Sequence, residues 1–384
     1  MTQPFTLPED QASLIQVFGA DAGPEELQEI SSCIESQWLG MGPKTVELER
    51  ALAEHLGTPG FVLLNSGSSS LQMAIHLLDL PPGADAEIVL PSFTWVACAS
   101  AVLLAGHRPV FCDVDEDSMN LTADSVAGVL TDRTAAIMAV HYAGLPAPVA
   151  ALADFGLPVI EDAAHAVDSR LGGKACGTIG EIGVFSFDAV KNLAMGEGGG
   201  ITARDPALLE RARQLRQCGI SRSGFEALGR QERWWEHDII AAFPKMVPAD
   251  VNAAIGLAQL RKLKRAQRRR SEIWSRYQQE FSGLPWLKRP AEALPRDRHS
   301  YFTYCVRVAG GGRDRLARHL LQNGIYSTLR FHPLHLSPLY GKQPPLPATE
   351  NLMREALNLP LHPRLSDEDV GRVIDVVRNF RDTR

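Results

Sequence analysis

Short apolar runs alternate with amphipathic stretches through the first two thirds of the chain. The apolar runs predict buried strands at residues 61–64, 88–90, 109–114, 134–141, 158–162 and 182–187. Stretches with apolar residues three or four positions apart predict helices at residues 25–38, 44–56, 149–155 and 205–217. Strands that alternate with helices in this way predict an α/β fold with a mostly parallel sheet.

The pattern changes in the last third of the chain. Residues 250–281 predict one long helix, and we interpret its basic stretch as a solvated face. Proline then becomes frequent, and residues 301–308 predict a strand of a second, α+β domain. We therefore predict three parts, namely an N-terminal arm (1–22), a large domain (23–250), and a connecting helix with a small C-terminal domain (251–384).

Composition and charge argue against several classes of function for this protein. The 384 residues carry a net charge of −6, so nothing favours a nucleic acid or membrane partner. The uncharged stretch at 88–106 is interrupted by Pro91, which favours a buried strand, loop and helix over a membrane span. The six cysteines lie far apart without a CxxC pair, which argues against a zinc site or disulfides. We expect a cytoplasmic protein without a bound metal.

A serine- and glycine-rich turn follows the first predicted strand. It reads Asn65-Ser-Gly-Ser-Ser-Ser70 and leads directly into a helical pattern. Backbone N–H groups at such a helix start, with nearby hydroxyls, can bind an anion such as phosphate. The alternative is an ordinary structural helix cap.

A single lysine, Lys191, lies in a glycine-rich stretch after the strand at 182–187. Burial would lower the pKa of its amine, which is the condition for Schiff-base chemistry. Taken alone, the lysine could equally lie at a hairpin tip in solvent. Upstream, Asp162 lies at a predicted strand end, where ligands bind in open parallel sheets. Trp95 follows another strand and could stack on a flat ring or pack in the core.

Together these features match the needs of pyridoxal 5'-phosphate (PLP). The phosphate requires N–H and hydroxyl donors, and the ring requires an aromatic or apolar face. The pyridine nitrogen keeps its proton only beside a carboxylate, and the protonated ring then acts as the electron sink. The aldehyde requires an unprotonated lysine amine.

The sequence resembles the DegT/DnrJ/EryC1/StrS sugar aminotransferases, which are PLP enzymes of fold type I. The resemblance runs from about Ile30 to the C-terminal helix. It rests on these segments: WLGMGPKTVELERALAEHLG, NSGSSSLQMAI, LPSFTWVACASAVLLAGHRPVFCDVD, AVHYAG, PVIEDAAHAVDS, GVFSFDAVKNLAMGEGGG, NAAIGLAQL and HPLHLSPLYG. It implies a large domain with a seven-stranded, mostly parallel sheet between helices, and a smaller C-terminal α+β domain.

The resemblance also implies roles for individual residues. Lys191 would form the Schiff base with the cofactor and shuttle the proton, Asp162 would pair with the pyridinium nitrogen, and His165 would hydrogen-bond the phenolic oxygen. The remaining cofactor contacts implied are Ser186, Gly67 and Ser68 at the phosphate and Trp95 on the ring. The substrate contacts implied are Gly40, Met41, His332 and His335.

The activity implied is transfer of an amino group, usually from glutamate, to a keto sugar that is most often linked to a nucleotide. The resemblance further implies a homodimer with active sites at the interface. One position departs from the family. Where relatives place an Asn that reaches the neighbouring subunit's phosphate, this chain has Val247, which cannot donate a hydrogen bond. Lys245 as a replacement, weaker cofactor binding or a different substrate would each account for the change.

Three alternatives remain open at this point. Within the family, PLP-dependent sugar dehydratases replace the lysine with His, so Lys191 argues against that activity. A keto-cyclitol could replace the keto sugar as amino acceptor. A non-catalytic regulatory protein with the same fold is disfavoured by the presence of Lys191, Asp162 and Ser186.

Overall fold

A computed structural model describes residues 14–80, 86–221 and 236–380. The first 13 residues of the predicted arm lie outside the described residues.

A seven-stranded sheet forms the centre of the larger part of the molecule. Its strands are β1 (Val62–Leu64), β2 (Glu87–Pro91), β3 (Arg108–Cys112), β4 (Thr134–Val140), β5 (Val159–Asp162), β8 (Ile182–Ser186) and β9 (Gly199–Ala203), and β6 (Arg170–Leu171) and β7 (Lys174–Ala175) form a separate hairpin. The order is β1-β9-β8-β5-β4-β2-β3, with only β9 antiparallel to its neighbours. Most of these strands are buried along their length, as expected of a parallel sheet covered on both faces. The predicted mostly parallel sheet is confirmed.

Helices cover this sheet and continue into the C-terminal part. Their bounds are α1 (Pro24–Glu35), α2 (Pro43–Leu56), α3 (Gly67–Leu77), α4 (Val96–Leu104), α5 (Ala123–Ala127), α6 (Val149–Ala153), α7 (Pro206–Arg216), α8 (Asp250–Glu280), α9 (Arg313–Gln322), α10 (Pro347–Glu355) and α11 (Asp367–Asn379). The helix predicted at 25–38 ends earlier, at Glu35, because Gln37 adopts a left-handed φ of 56°. Among the described residues, no helix combines the length and apolarity needed to cross a membrane.

Asp250, the first residue of α8, fixes the start of α2. Its carboxylate accepts hydrogen bonds from the backbone N–H groups of Gly42, Lys44 and Thr45, at 2.8, 3.0 and 2.9 Å. The Thr45 hydroxyl donates a fourth, at 2.6 Å. A negative charge at a helix N-terminus is stabilising, so this contact holds the loop between α1 and α2 in place.

A second, smaller sheet has its own apolar core. Strands β10 (Leu287–Lys288), β11 (Tyr304–Val308) and β12 (Ala356–Leu359) pair antiparallel in the order β10-β11-β12. The strand predicted at 301–308 starts later, at Tyr304, because Tyr301 has a left-handed φ of 50°. The aromatic end of α8, with Trp274 and Tyr277, packs in this second core, while its first half packs against α1 and α2.

Candidate active site

A cavity of about 420 Å³ lies at the carboxyl ends of the central strands. Segment 328–331 of the C-terminal part forms one of its walls. The cavity brings together every predicted cofactor residue, namely Gly67, Ser68, Trp95, Asp162, His165, Ser186 and Lys191. These residues come from four separate segments of the sequence, so only the folded chain assembles the site.

The start of α3 forms one end of the cavity. Ser66 caps the helix, accepting a hydrogen bond from the N–H of Ser69 at 3.0 Å. The N–H groups of Gly67 and Ser68 have no partner among the described residues. A Cβ at position 67 would lie 2.7 Å from the Cβ of Ser186, so only glycine allows α3 to approach β8 this closely. Two free N–H groups beside a serine hydroxyl at a helix N-terminus form an anion site.

Asp162 ends β5 and is held in one orientation. Its Oδ1 accepts from the N–H of Ala164 at 3.0 Å, and its Oδ2 accepts from the thiol of Cys98 at 3.2 Å. Both donors are neutral, so the carboxylate keeps its charge available to a cationic partner in the cavity.

Glu161, the other carboxylate at this strand end, has a structural role. It accepts hydrogen bonds from the N–H groups of Gly177, Ile179 and Gly180, at 2.9, 2.6 and 2.6 Å. It also pairs with the ring of His141 at 3.0 Å. Neighbouring side chains of a strand point to opposite faces, so Glu161 anchors a loop while Asp162 faces the cavity.

Lys191 follows β8 in a tight, well-anchored turn. Its N–H donates to the carbonyl of Asp188 at 2.9 Å, and the carboxylate of Asp188 accepts from the N–H of Val190 at 3.0 Å. The ammonium nitrogen lies 5.0 Å from the ring centroid of Phe302. Burial lowers the pKa of Lys191 from 10.5 to about 8, while the charge of Asp162 opposes that shift. A large share of neutral amine is therefore available near pH 8.

His165 stacks on Phe302, with ring centroids 4.0 Å apart and planes 12° apart. Burial holds the pKa of His165 well below its ordinary value, and the positive charges of Lys191 and Arg330 lower it further. The imidazole is therefore neutral. Its Nδ1 is buried without a hydrogen-bond partner among the described residues, so it can bond a ligand atom.

Trp95 lies at the rim of the cavity, where 57% of its surface is exposed. Its ring centroid is 5.7 Å from that of Phe331. An indole in this position can cover a flat ring bound in the cavity, which is the role predicted for it.

The structure separates the predicted substrate residues from this cavity. The ring of His335 is buried against Ser92 at 2.7 Å and Glu350 at 3.4 Å and does not face this cavity, so its predicted contact with substrate stays a prediction. His332 is exposed and does not line the cavity either. Gly40 and Met41 lie on the loop before α2, also outside this chain's cavity.

The segment with Lys245 and Val247 lies beside the end of α7, outside the cavity lining of its own chain. Met246, between them, accepts a hydrogen bond from Asn65 N–H at 3.0 Å. The sequence prediction that Lys245 replaces a phosphate ligand therefore concerns a neighbouring subunit.

The cavity lining also includes Asp188, Arg330 and Phe331, which were not among the predicted site residues. The loop around 331–335 was predicted to contact a ligand, but through its histidines. Arg330 and Phe331 precede those histidines and could have been considered as part of the same loop.

Residues 20–378 match the DegT/DnrJ/EryC1/StrS aminotransferase family. The chain belongs to this family. The solved structure of the aminotransferase TlmJ from Streptoalloteichus hindustanus is 42% identical, with a TM-score of 0.89 over 95% of this chain and 98% of that chain. A relative from Saccharopolyspora spinosa, named dTDP-4-dehydro-2,3,6-trideoxy-D-glucose 4-aminotransferase, is 42% identical over 92% of this chain and 93% of its own. The PLP form of the putative sugar aminotransferase Spr1654 from Streptococcus pneumoniae is 28% identical, with a TM-score of 0.86 over 94% and 97%.

The protein is thus a PLP-dependent aminotransferase of fold type I. Independently of these comparisons, the structure of the cavity fits the cofactor. Free N–H groups at Gly67 and Ser68 suit the phosphate, the unpartnered Nδ1 of His165 suits the phenolic oxygen, and the fixed carboxylate of Asp162 suits the pyridine nitrogen.

Proposed function

We propose that this enzyme transfers an amino group from an amino acid, with glutamate as donor, to the keto carbon of a nucleotide-linked deoxy sugar. The relative from Saccharopolyspora spinosa, whose name states a dTDP-linked keto sugar, is the observation that carries this assignment. The product would be an amino sugar for a surface polysaccharide or a natural product. The six free cysteines fit a reducing compartment and support a cytoplasmic location.

Each cavity residue has a separate task in this proposal. PLP supplies the electron sink when it is bound. Lys191 holds the cofactor through its amine and, once free and neutral, moves the proton at the donor's α-carbon as base and then acid. Asp162 keeps the proton on the pyridine nitrogen, since a nearby negative charge favours the cationic ring. Trp95 and Phe331 limit the access of water from the rim.

A screen of keto sugar nucleotides with glutamate tests the assignment. Purified enzyme loaded with PLP is mixed with dTDP-, UDP- and GDP-linked 4-keto sugars, and mass spectrometry follows conversion of the keto group to an amine. We expect amination of at least one nucleotide-linked sugar and no product with Lys191→Ala. If only a free cyclitol were aminated, the proposal of a nucleotide-linked keto sugar as acceptor would be wrong. A product that has lost oxygen without gaining nitrogen would indicate dehydratase activity.

We also propose a homodimer whose partner completes each site. Large apolar side chains are exposed on and next to α1 and α2, where Leu27 is 66%, Ile34 51%, Leu39 50% and Val46 51% exposed. Gly40 and Met41, predicted to contact substrate, lie on this same surface. Apolar surface of this extent is expected to be covered by another chain.

Light scattering tests the dimer. We expect twice the chain mass of 41.9 kDa for the wild type. Leu39→Asp should yield monomers with little activity, because it places a charge in the proposed interface. Leu294→Asp, at a site that is 56% exposed but distant in sequence from this surface, is the matched control. An active monomer would contradict the shared site.

A further inference from the structure

Phe302 is a fully buried aromatic residue that lies beside the active-site cavity without lining it. Its ring stacks on the imidazole of His165, with centroids 4.0 Å apart and planes 12° apart. The centroid of the same ring lies 5.0 Å from the Nζ of Lys191. One side chain of the C-terminal part therefore lies against two of the residues that are predicted to contact the cofactor.

The backbone before Phe302 is bonded to the two loops that carry these residues. The hydroxyl of Ser300 donates to the carbonyl of His165 at 2.5 Å. The carbonyl of Ser300 accepts a hydrogen bond from the side-chain amide of Asn192, the residue after Lys191, at 2.6 Å. These two bonds fix where the ring of Phe302 lies relative to both loops.

The stack with Phe302 is the closest aromatic contact of the His165 ring. Nδ1 of His165 has no hydrogen-bond partner among the described residues, so a bond at that atom does not hold the ring. The χ2 torsion of histidine has broad energy wells, so the plane of the ring depends on its neighbours. The centroids of Tyr142 and Phe331 lie farther away, at 6.2 and 6.1 Å. Phe18 packs on Phe302, with centroids 5.3 Å apart, and supports it in turn.

We propose that Phe302 is a positioning residue, which holds the imidazole of His165 in the plane that lets it bond the phenolic oxygen of the cofactor. The inference rests on the predicted contact between His165 and the cofactor, and it is independent of the sugar and the amino donor. It makes a contact in the large domain depend on a side chain of the C-terminal part. Packing of the two parts is thus a condition for full cofactor affinity.

A double-mutant cycle with His165→Ala tests this role. The probe is pyridoxamine 5'-phosphate, which carries the phenolic oxygen and the phosphate but no aldehyde, so it forms no covalent bond with Lys191. Fluorescence titration of the apoprotein gives its Kd. We expect His165→Ala and Phe302→Leu each to raise this Kd about 3- to 10-fold, the range for one hydrogen bond. In the double variant, Phe302→Leu should add less than about twofold, because the group that it positions is absent.

Further variants separate positioning from a general loss of packing. Phe302→Tyr keeps a ring in the stack and should stay within about twofold of the wild type. Phe281→Leu is the matched control, because it removes a similarly buried ring that stacks on Tyr277 in the second core, and it should leave the Kd unchanged. If Phe302→Leu does not fold, Phe302→Met replaces it with the same expectation. In the PLP-loaded enzyme, the absorbance maximum of the cofactor should shift in the same direction in Phe302→Leu and His165→Ala.

Four results would overturn the proposal. A Kd within about twofold of the wild type in Phe302→Leu shows that the stack is not needed. An equal rise with and without His165 shows that Phe302 acts through another group. A matching rise in Phe281→Leu shows general destabilisation. An unchanged Kd in His165→Ala removes the cofactor contact itself. Because the probe contains neither a sugar nor an amino donor, each of these results is distinct from failure of the keto sugar screen.

Discussion

At the residue scale, the chemistry depends on how Lys191 is solvated. An ordinary lysine with a pKa of 10.5 has less than about 1% neutral amine at pH 8. Burial disfavours the charged form and brings the pKa of Lys191 to about 8, so roughly half of the amine is neutral at that pH. Capture of an aldehyde by this amine should therefore accelerate as the pH rises and level off above about 8.

The two adjacent carboxylates show how the surroundings of a residue assign its role. Glu161 and Asp162 differ by one position, yet one is saturated by three backbone N–H groups and His141 and the other faces the cavity. The sequence predicted that a carboxylate at this strand end is functional. Asp162 was the carboxylate named, and the alternation of side chains along β5 turns it towards the cavity and Glu161 away from it.

At the element scale, the junction of α3 and β8 forms the proposed site for the cofactor phosphate. Gly67 lets the helix start lie against Ser186, and Gly199 on the neighbouring strand lies where a Cβ would meet the backbone of Ser66 at 2.4 Å. Both glycines are required by close approach rather than by backbone conformation. The free N–H groups of α3 consequently point into the cavity beside the hydroxyl of Ser186.

Gly67→Ala tests this junction. The new Cβ would lie 2.7 Å from that of Ser186, so the start of α3 must move. Its free N–H groups would then no longer be directed towards the proposed phosphate position. We expect the Kd for PLP, measured by fluorescence titration of the apoprotein, to rise about 10-fold or more. Gly128→Ala is the control, because its Cβ would meet only ordinary contacts from 3.5 Å and its φ is −66°. An unchanged Kd in Gly67→Ala would contradict the assigned phosphate site.

At the scale of the whole molecule, local sequence patterns were enough to predict most of the fold. Apolar runs are local signals, so most of the central strands and the long helix α8 were predictable. The cofactor residues were predicted from their order in the sequence and from the resemblance to the family. The seven of them then meet in one cavity.

The features that could not be predicted depend on packing between residues that are distant in the sequence. Phe18, Phe302 and Arg330 meet only after the C-terminal part folds over the sheet, and no local pattern predicts that contact. The same packing turns His335 towards Ser92 and Glu350, and local sequence patterns did not predict these contacts. The predicted domain boundary at 250 falls at the first residue of α8, a helix that packs against both parts.

The central claim is that Lys191 is the lysine that holds PLP. The most direct measurement mixes apoprotein with PLP at pH values from 6 to 10, traps the adduct with borohydride and locates it by peptide mass spectrometry. We predict that the cofactor is attached at Lys191 alone, that Lys191→Ala carries no adduct, and that the initial rate levels off above pH about 8. Attachment at another lysine, or a rate that still climbs towards pH 10, would contradict it.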